Sequence, residues 1–374
     1  MKVIIIAGTR PEAVKVAPIV LEFKKHPEIE TLLCNSGQHK EMIDNVFADF
    51  QLVPDFSLDV MCENQSLSSL TAKLFLSLDK VLEEQNPDWI VVQGDTTTVM
   101  VSAMCAFYRN IKIAHVEAGL RSFDKKAPFP EETNRQIVTR VADLHFAPTR
   151  NSYANLIREG IDPDYAFVTG NTVIDALLWS QKYLNNKIHD YLDSDVNKAL
   201  ELGKKIILVT GHRRENFGEG LREICKAIKT LANNYDDIVF VYPVHLNPNV
   251  KEPICQNLRN IKNVFLLPVQ SYLSFQALMN ISYLVLTDSG GVQEEASALG
   301  KPVLVMRDIT ERPEGLKTGC ACLVGARSTS IIEGVSNLLE NSELYSQMAS
   351  AKNPYGHGHS AERIVEAIIK ASEL

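Results

Sequence analysis

The stretch KKIILVTG, Lys204–Gly211, decides how the chain is read. Ile206, Ile207, Leu208 and Val209 follow one another with no polar residue between them. A strand with one face in water would alternate, so an unbroken apolar run belongs to a parallel sheet covered on both faces. The run restarts a pattern. It comes after a polar, sheet-poor stretch at about 181–203 and opens the series DIVFVYPV (237–244), NVFLLPV (263–269), YLVLTD (283–288) and KPVLVM (301–306). An earlier series consists of KVIIIA (2–7), TLLCN (31–35), DWIVVQ (88–93), IKIAHV (111–116) and LHFAP (144–148). Helix-like segments such as PEAVKVAPIVLEFKK (11–25) and LSSLTAKLFLSLDKVLEEQ (67–85) separate them. Two successive series imply an α/β protein of two Rossmann-like, doubly wound parallel-sheet domains facing a cleft. The expected division is 1–170 and 171–357, and the amphipathic SAERIVEAIIKASEL (360–374) could cap either domain.

The bulk properties agree with this reading. A chain of 374 residues is long for a single core. A formal charge of −8 and a pI near 5.7 argue against a nucleic-acid partner, which calls for a basic footprint. An anionic small substrate stays open, since a local basic cluster can oppose the global sign. The apolar start is too short for a signal peptide or a membrane span, so a cytoplasmic protein with no membrane partner is expected. The seven cysteines are scattered with no C-x-x-C, which fits free thiols and no zinc site. His357 and His359 lack matching ligands, and no metal is expected there.

Polar residues fall at the strand ends. Arg10, Asp95, Glu117, His212, His245 and Ser289 each lie just beyond the carboxyl end of an expected strand, where open α/β sheets bind ligands. In LTDSGGVQEE (286–295), Ser289, Gly290 and Gly291 open a helix in a way that suits phosphate, and Glu295 suits a ribose diol; a plain tight turn would look the same. Arg10 and Lys15 flank a helix start, and Arg213, Arg214 and Arg312 add cations fit for a diphosphate, although surface pairing could absorb any one of them. Asp95 in GDTTT could serve as a helix cap.

The segment HVEAGLRSFDKKAPFPEETNR (115–135) carries a surplus of carboxylates. Asp124 reads as solvated, and Glu132 as facing water at a helix start. Glu131 and Arg135 are spaced for an i,i+4 pair. Glu117 ends an apolar strand with no cap to make, and burial there would raise its pKa toward a proton-transfer role. No G-x-G-x-x-G follows the first strand and no P-loop occurs, so nicotinamide redox chemistry and NTP hydrolysis both lose support.

Taken together, AGTRPE, SGQHKEM, GDTTT, HVEAGLR, FPEETNRQ, VTGNTVIDAL, GHRREN, YPVHLNP, LTDSGGVQEE, GKPVLVMRD, TERPEG and NPYG closely resemble the non-hydrolysing UDP-N-acetylglucosamine 2-epimerases of bacteria. The resemblance runs nearly end to end and implies the glycosyltransferase-B architecture, with the terminal helix 358–374 crossing back onto the first domain. It implies interconversion of UDP-N-acetylglucosamine and UDP-N-acetylmannosamine through elimination and re-addition of UDP, with a 2-acetamidoglucal intermediate and no cofactor. It further implies a catalytic set of Asp95, Glu117, Glu131 and His212, with Asp95 and Glu131 shuttling protons at C2. The implied substrate-binding set is Arg10, Lys15, Arg135, Gln270, Phe275, Ser289, Gly290, Gly291, Glu295 and Arg312. Gln38, His39, Gln65, Arg213 and His245 match positions tied to activation by a second substrate molecule; Asn64 departs from the arginine often found in that motif. A homodimer, a cytoplasmic location and a product destined for surface polysaccharide are implied as well. The competing readings are a glycosyltransferase, a hydrolysing epimerase and a nucleotide-sugar-binding regulator without catalysis.

Overall fold

The computed structural model describes residues 1–38, 40–62, 65–310 and 312–373, and the side chains of all of these except Lys40 and Glu41. Two compact units emerge: Met1–Trp179 together with Tyr355–Leu374, and Ser180–Pro354.

The first unit is built on a seven-stranded sheet. Its strands are β1 (Lys2–Ala7), β2 (Glu30–Asn35), β3 (Phe56–Ser57), β4 (Trp89–Gln93), β5 (Lys112–Val116), β6 (Leu144–Ala147) and β7 (Ala166–Val168). They lie in the order β3-β2-β1-β4-β5-β6-β7, every neighbouring pair parallel. The order reverses direction beside β1, the topological switch point of a doubly wound sheet. β1 and β4 are buried almost throughout because helices cover both faces of the sheet, the reason their sequences do not alternate.

The second unit repeats the plan with six parallel strands. These are β8 (Lys205–Thr210), β9 (Ile238–Pro243), β10 (Val264–Leu267), β11 (Leu284–Thr287), β12 (Val303–Val305) and β13 (Ala321–Leu323), in the order β10-β9-β8-β11-β12-β13. Its core joins Ile207 and Val209 of β8 to Leu221, Ile224, Ile228 and Leu231 of the Glu219–Asn234 helix. The two-series reading of the sequence is therefore the observed fold class. What it did not single out were β3, β7 and β13, which have two or three residues each and sit at sheet edges. Strands that short carry too few apolar positions for a pattern to register.

The helix Ser360–Ser372 belongs to the first unit and packs on the Arg10–Phe23 helix. Trp89 donates its indole N–H to the Ser372 hydroxyl (2.8 Å), and Ala361 donates its amide to Asp175 (2.9 Å). Among the described residues, no helix is long and apolar enough to cross a membrane.

Candidate functional site

Strand register decides which loops of the first unit meet. β4 pairs with β5 so that Gln93 lies beside Val116, and β1 pairs with β4 so that Ile6 lies beside Val92. The residues following each strand, Gly8–Thr9, Gly94–Asp95 and Glu117, thus leave the sheet side by side. Helix starts follow at Arg10 and Thr97, with Thr9 and Thr96 as N-caps.

Glu117 is the most constrained member. Its φ is 65°, in the left-handed region that a residue with a Cβ seldom occupies, and such strain concentrates at functional positions. The side chain is buried and ion-paired with the Lys15 ammonium. Asn171 donates to the same carboxylate oxygen at 2.9 Å, and is itself fixed because its amide donates to the Tyr355 carbonyl (2.8 Å) and its side-chain oxygen accepts from Val173 (3.0 Å).

Asp95 is held by Arg135, whose Nε and Nη2 approach one carboxylate oxygen at 2.8 and 2.6 Å. Asn134 donates to the Asp95 carbonyl (2.9 Å). Arg135 in turn is braced by Glu132 at 3.1 Å. The expectation that Glu132 faces water is overturned: its exposure is 0%, and it accepts from the Ser122 and Phe123 amides and from Gln136. Burial opposes its ionisation, but the bonds from Ser122, Gln136 and Arg135 outweigh that and hold the carboxyl below its ordinary value. The reason is tertiary. The 120–130 loop folds over the first turn of the Glu131–Val141 helix and supplies donors that local sequence does not reveal. Asp124 is exposed, as its sequence context suggests.

Glu131 starts that helix half-buried, and its Oε2 is buried with no hydrogen-bond partner among the described residues. A carboxylate oxygen left so is costly unless a ligand donor completes it. His115, two residues before Glu117, is fully buried and bonds through Nε2 to the Gly94 carbonyl (2.8 Å), tying the Asp95 turn to the Glu117 strand. Burial pushes its pKa down to about 4, so the ring is neutral at pH 7. Neither His115 nor Asn171 was singled out in the sequence. Both are buried struts whose roles are visible only through their partners.

In the second unit, β8 pairs with β11 so that Thr210 lies beside Thr287, which brings Asp288 against the turn after β8. The fully buried Asp288 carboxylate accepts from the amides of His212 (3.0 Å) and Arg213 (2.9 Å) and from the Asn216 side chain (3.1 Å). The His212 Nδ1 lies 3.5 Å from it, and the ring stacks on His245 at 5.7 Å. Loss of solvent lowers the His212 pKa even though 42% of its side chain is exposed; Asp288 opposes the shift, while Arg213 and His245 add to it. Sequence reading took Ser289 from this turn and passed over Asp288, whose partners lie more than seventy residues away.

Ser289 stands at the N-cap position of the Gly290–Ala298 helix, with no capping hydrogen bond from its side chain. A Cβ on Gly290 would stand 2.7 Å from the Arg312 guanidinium carbon, whereas one on Gly291 would meet nothing within 4 Å. Gly290 thus admits Arg312, and Gly291 leaves backbone open to an approaching group. Arg312 is buried and bonded to Glu294 (2.8 Å); Glu295 accepts from Gln276 (2.5 Å) and the Tyr272 hydroxyl (3.4 Å). Phe275 is half-buried in the Tyr272–Ile281 helix, and Gln270 precedes it, donating to the Pro268 carbonyl (2.7 Å). Arg10 begins the first helix of the first unit.

Of the residues expected to bind a second substrate, Gln38 accepts from the Thr98 hydroxyl (3.0 Å) in the first unit, and Gln65 accepts from the Cys62 amide (3.1 Å). Arg213 and His245 flank His212 in the second unit. His39 lies outside the described residues, as does Asn64.

Carboxylates at the strand ends of one parallel sheet, and a glycine-opened helix with buried arginine at those of the other, describe a class of protein that handles a phosphorylated or nucleotide-linked polyol. Known proteins narrow the class. The family model for UDP-N-acetylglucosamine 2-epimerase matches residues 21–369. The UDP-N-acetylglucosamine 2-epimerase of Yersinia pestis is 48% identical over 373 residues, 98% of each chain. Among solved structures, the Neisseria meningitidis UDP-GlcNAc 2-epimerase bound to UDP-GlcNAc superposes with a TM-score of 0.92 at 45% identity, covering 99% of this chain and 100% of that one. The Methanocaldococcus jannaschii enzyme in complex with UDP-GlcNAc and UDP gives 0.83 at 34% identity, with coverage of 99% and 100%. The chain belongs to the UDP-N-acetylglucosamine 2-epimerase family, as its motif set implies.

Proposed function

We propose that the protein interconverts UDP-N-acetylglucosamine and UDP-N-acetylmannosamine by eliminating UDP and adding it back. The observation that carries this is the set of carboxylates at the carboxyl ends of β4 and β5 and at the helix start that follows, Asp95, Glu117 and Glu131, each held by tertiary contacts or left with an unsatisfied oxygen. Two solved relatives, those of Neisseria meningitidis and Methanocaldococcus jannaschii, are bound to UDP-GlcNAc, the second with UDP as well, which supports the same ligand class here.

In the proposed reaction a carboxylate takes the proton from C2 of the sugar. The C2–H electron pair forms the C1–C2 double bond as the C1–O bond breaks, and its pair leaves with UDP. The resulting 2-acetamidoglucal stays bound; UDP re-adds at C1 while a second group protonates C2 on the opposite face. Asp95 and Glu131 carry the protons. Glu117, with Lys15, stabilises charge at the sugar. His212, Arg10 and Arg312 serve the diphosphate, and the Ser289–Gly291 helix start offers backbone N–H groups to it. Arg135 acts through Asp95, fixing its orientation. Water must be kept from the glucal, or free sugar and UDP would be released.

The test is proton NMR in D2O with UDP-N-acetylglucosamine. Epimerisation predicts deuterium at C2 and appearance of UDP-N-acetylmannosamine without bulk UDP. Free N-acetylmannosamine would instead indicate hydrolysis, a requirement for an acceptor would indicate glycosyl transfer, and an unchanged spectrum would leave only binding.

Gln38, Gln65, Arg213 and His245, with His39, are proposed to take a second UDP-N-acetylglucosamine as activator. A strictly hyperbolic rate with UDP-N-acetylmannosamine alone, unmoved by traces of the other epimer, would refute this. The protein is further proposed to act as a cytoplasmic homodimer supplying an activated N-acetylmannosamine for surface polysaccharide; sedimentation of the purified chain reads the first of these directly.

A further inference from the structure

Asn171 has no part in the reaction as set out above, yet its side-chain amide donates to the Glu117 carboxylate at 2.9 Å. It lies 54 positions further along the chain, in the turn that follows β7, and is buried. The returning C-terminal segment holds three consecutive residues of that turn. The Thr169 carbonyl accepts from the Arg363 guanidinium (3.1 Å). Gly170, at φ 90°, runs so close to the segment that an added Cβ would stand 2.8 Å from the Ser360 hydroxyl and 3.3 Å from the Gly356 Cα. The Asn171 amide donates to the carbonyl of the buried Tyr355 (2.8 Å). Each contact in isolation is what the packing of a terminal helix would give. Together they grip a turn whose side chain reaches Glu117, which docking through the apolar face of Ile364, Val365 and Ile368 would not require.

The Asn171 side chain is used at both ends. Its oxygen accepts from the Val173 amide (3.0 Å), as an N-cap does for the Thr172–Leu184 helix. Its nitrogen goes to the Glu117 oxygen that also receives the Lys15 ammonium. Reversing the amide would set donor against donor at Val173 and acceptor against acceptor at Glu117, so its orientation is determined. Glu117 itself sits at φ 65°, where the backbone alone does little to hold a side chain in place.

We propose that Asn171 is a positioning residue that fixes the Glu117 carboxylate for its work at the sugar, and that the segment Tyr355–Ser372 sets Asn171 in place. The inference rests on the reading of Glu117 as a group that stabilises charge at the sugar. Lys15 supplies charge, but an ammonium on a flexible stem gives little direction. A planar amide bonded at both ends gives direction, and small misplacements of a reacting group are costly. The C-terminal segment thus acts on the chemistry through one side chain.

Asn171→Asp separates this role from capping. Aspartate caps a helix as well as asparagine does, and the C-terminal contacts of the turn are not made by the Asn171 side chain, so both survive. The donor to Glu117 is lost: two carboxylates then meet, and a proton held between them restores the bond. At pH 8 kcat is expected to fall at least about tenfold, with UDP affinity by calorimetry kept within about twofold. The ratio of its kcat to that of the wild type is expected to rise about threefold or more between pH 8 and pH 6. Wild-type kcat at both pH values, or a loss that does not recover as the pH falls, overturns the proposal and leaves Asn171 as a cap. Should Asn171→Asp fail to fold, Asn171→Ser takes its place, since serine also caps but is too short to reach Glu117. There a kcat lowered at least about tenfold with UDP affinity kept supports the role, and an unchanged kcat overturns it.

Arg363→Met tests the C-terminal half of the proposal. Arg363 is exposed, so its loss costs little stability. Acting through Asn171, Arg363→Met is expected to lower kcat about twofold or more in the wild type and to add no loss in Asn171→Asp. Equal losses in the two backgrounds, or none in either, overturn that half. Glu117→Gln keeps the failures apart. Turnover retained there sinks the reading of Glu117 itself; turnover abolished there, with wild-type kcat in Asn171→Asp, sinks only the role given to Asn171.

Discussion

Lys15 and Glu117 stand 102 residues apart in the chain and form a buried ion pair, with Asn171 donating to the same oxygen. The pair joins the first helix of the first unit to the turn beyond β5, and it holds Glu117 in a backbone conformation that costs free energy.

Removing the Lys15 ammonium takes a positive charge away from a buried carboxylate. Lys15→Met is therefore expected to destabilise the protein by about 3 kcal/mol and to lower turnover by more than stability alone explains. Glu117→Gln keeps the contact with Asn171 and is expected to abolish turnover while UDP binding survives. Urea denaturation reads the first effect, and calorimetric titration with UDP beside the activity assay reads the second; retained turnover in Glu117→Gln would remove Glu117 from the chemistry.

The helix start at Ser289–Gly291 makes a different prediction for each glycine. Gly290→Ala should displace Arg312, because the added carbon meets the guanidinium, and UDP affinity should fall at least about tenfold. Gly291→Ala has room in the empty protein and should leave the melting temperature within about a degree, since no contact is strained. If phosphate approaches that backbone, Gly291→Ala still weakens UDP binding. Unaltered affinity in both variants would place the diphosphate elsewhere.

Asp288 opposes the downward shift of His212. Taking away its charge in Asp288→Asn should therefore move the His212 titration further down, and should loosen the turn that receives its bonds. Ring-proton NMR across the pH range checks the sign. An upward movement would show that another group controls the imidazole.

Two buried histidines of the first unit make stability depend on pH. His115 and His145 face each other across β5 and β6, and burial lowers them to about 4 and about 3. Both stay neutral in the folded protein where the unfolded chain, near 6.5, takes up protons. Their folded values are depressed, so the stability they contribute is complete above pH 6.5. It is lost as pH falls toward the folded values. Glu12 and Asp175, raised by burial, act in the opposite sense over part of that window. The clean measurement is thus the difference made by one ring. His115→Asn retains a donor for Gly94, and should reduce the pH slope of the unfolding free energy between pH 6.5 and 5 by about one proton. An unchanged slope would mean His115 is protonated in the fold.

Much of this was legible in the chain alone. Unbroken apolar runs such as Ile206–Val209 require a sheet covered on both faces, and their restart after about residue 203 requires two such sheets. Backbone alternation is a local property, so residues near in sequence suffice to reveal it. The same holds for the placement of Asp95, Glu117 and His212 just beyond strand ends, because strand boundaries are marked locally.

Which carboxylates are buried, and by whom they are held, was beyond such reading. Glu132 and Glu131 are adjacent glutamates at one helix start; the fold of the 120–130 loop brings two amide donors to the first, beside Arg135 and Gln136 of its own helix, while an oxygen of the second has no partner among the described residues. Asp288 and Glu12 were passed over for the same reason. Their neighbours come from strand register and loop packing, and protonation depends on those neighbours through burial and charge. Sequence by itself determined the two sheets and the strand ends where polar groups emerge. Tertiary structure decided which of those groups are paired, strained or poised to titrate, since electrostatic free energy is set by distance in space rather than separation along the chain.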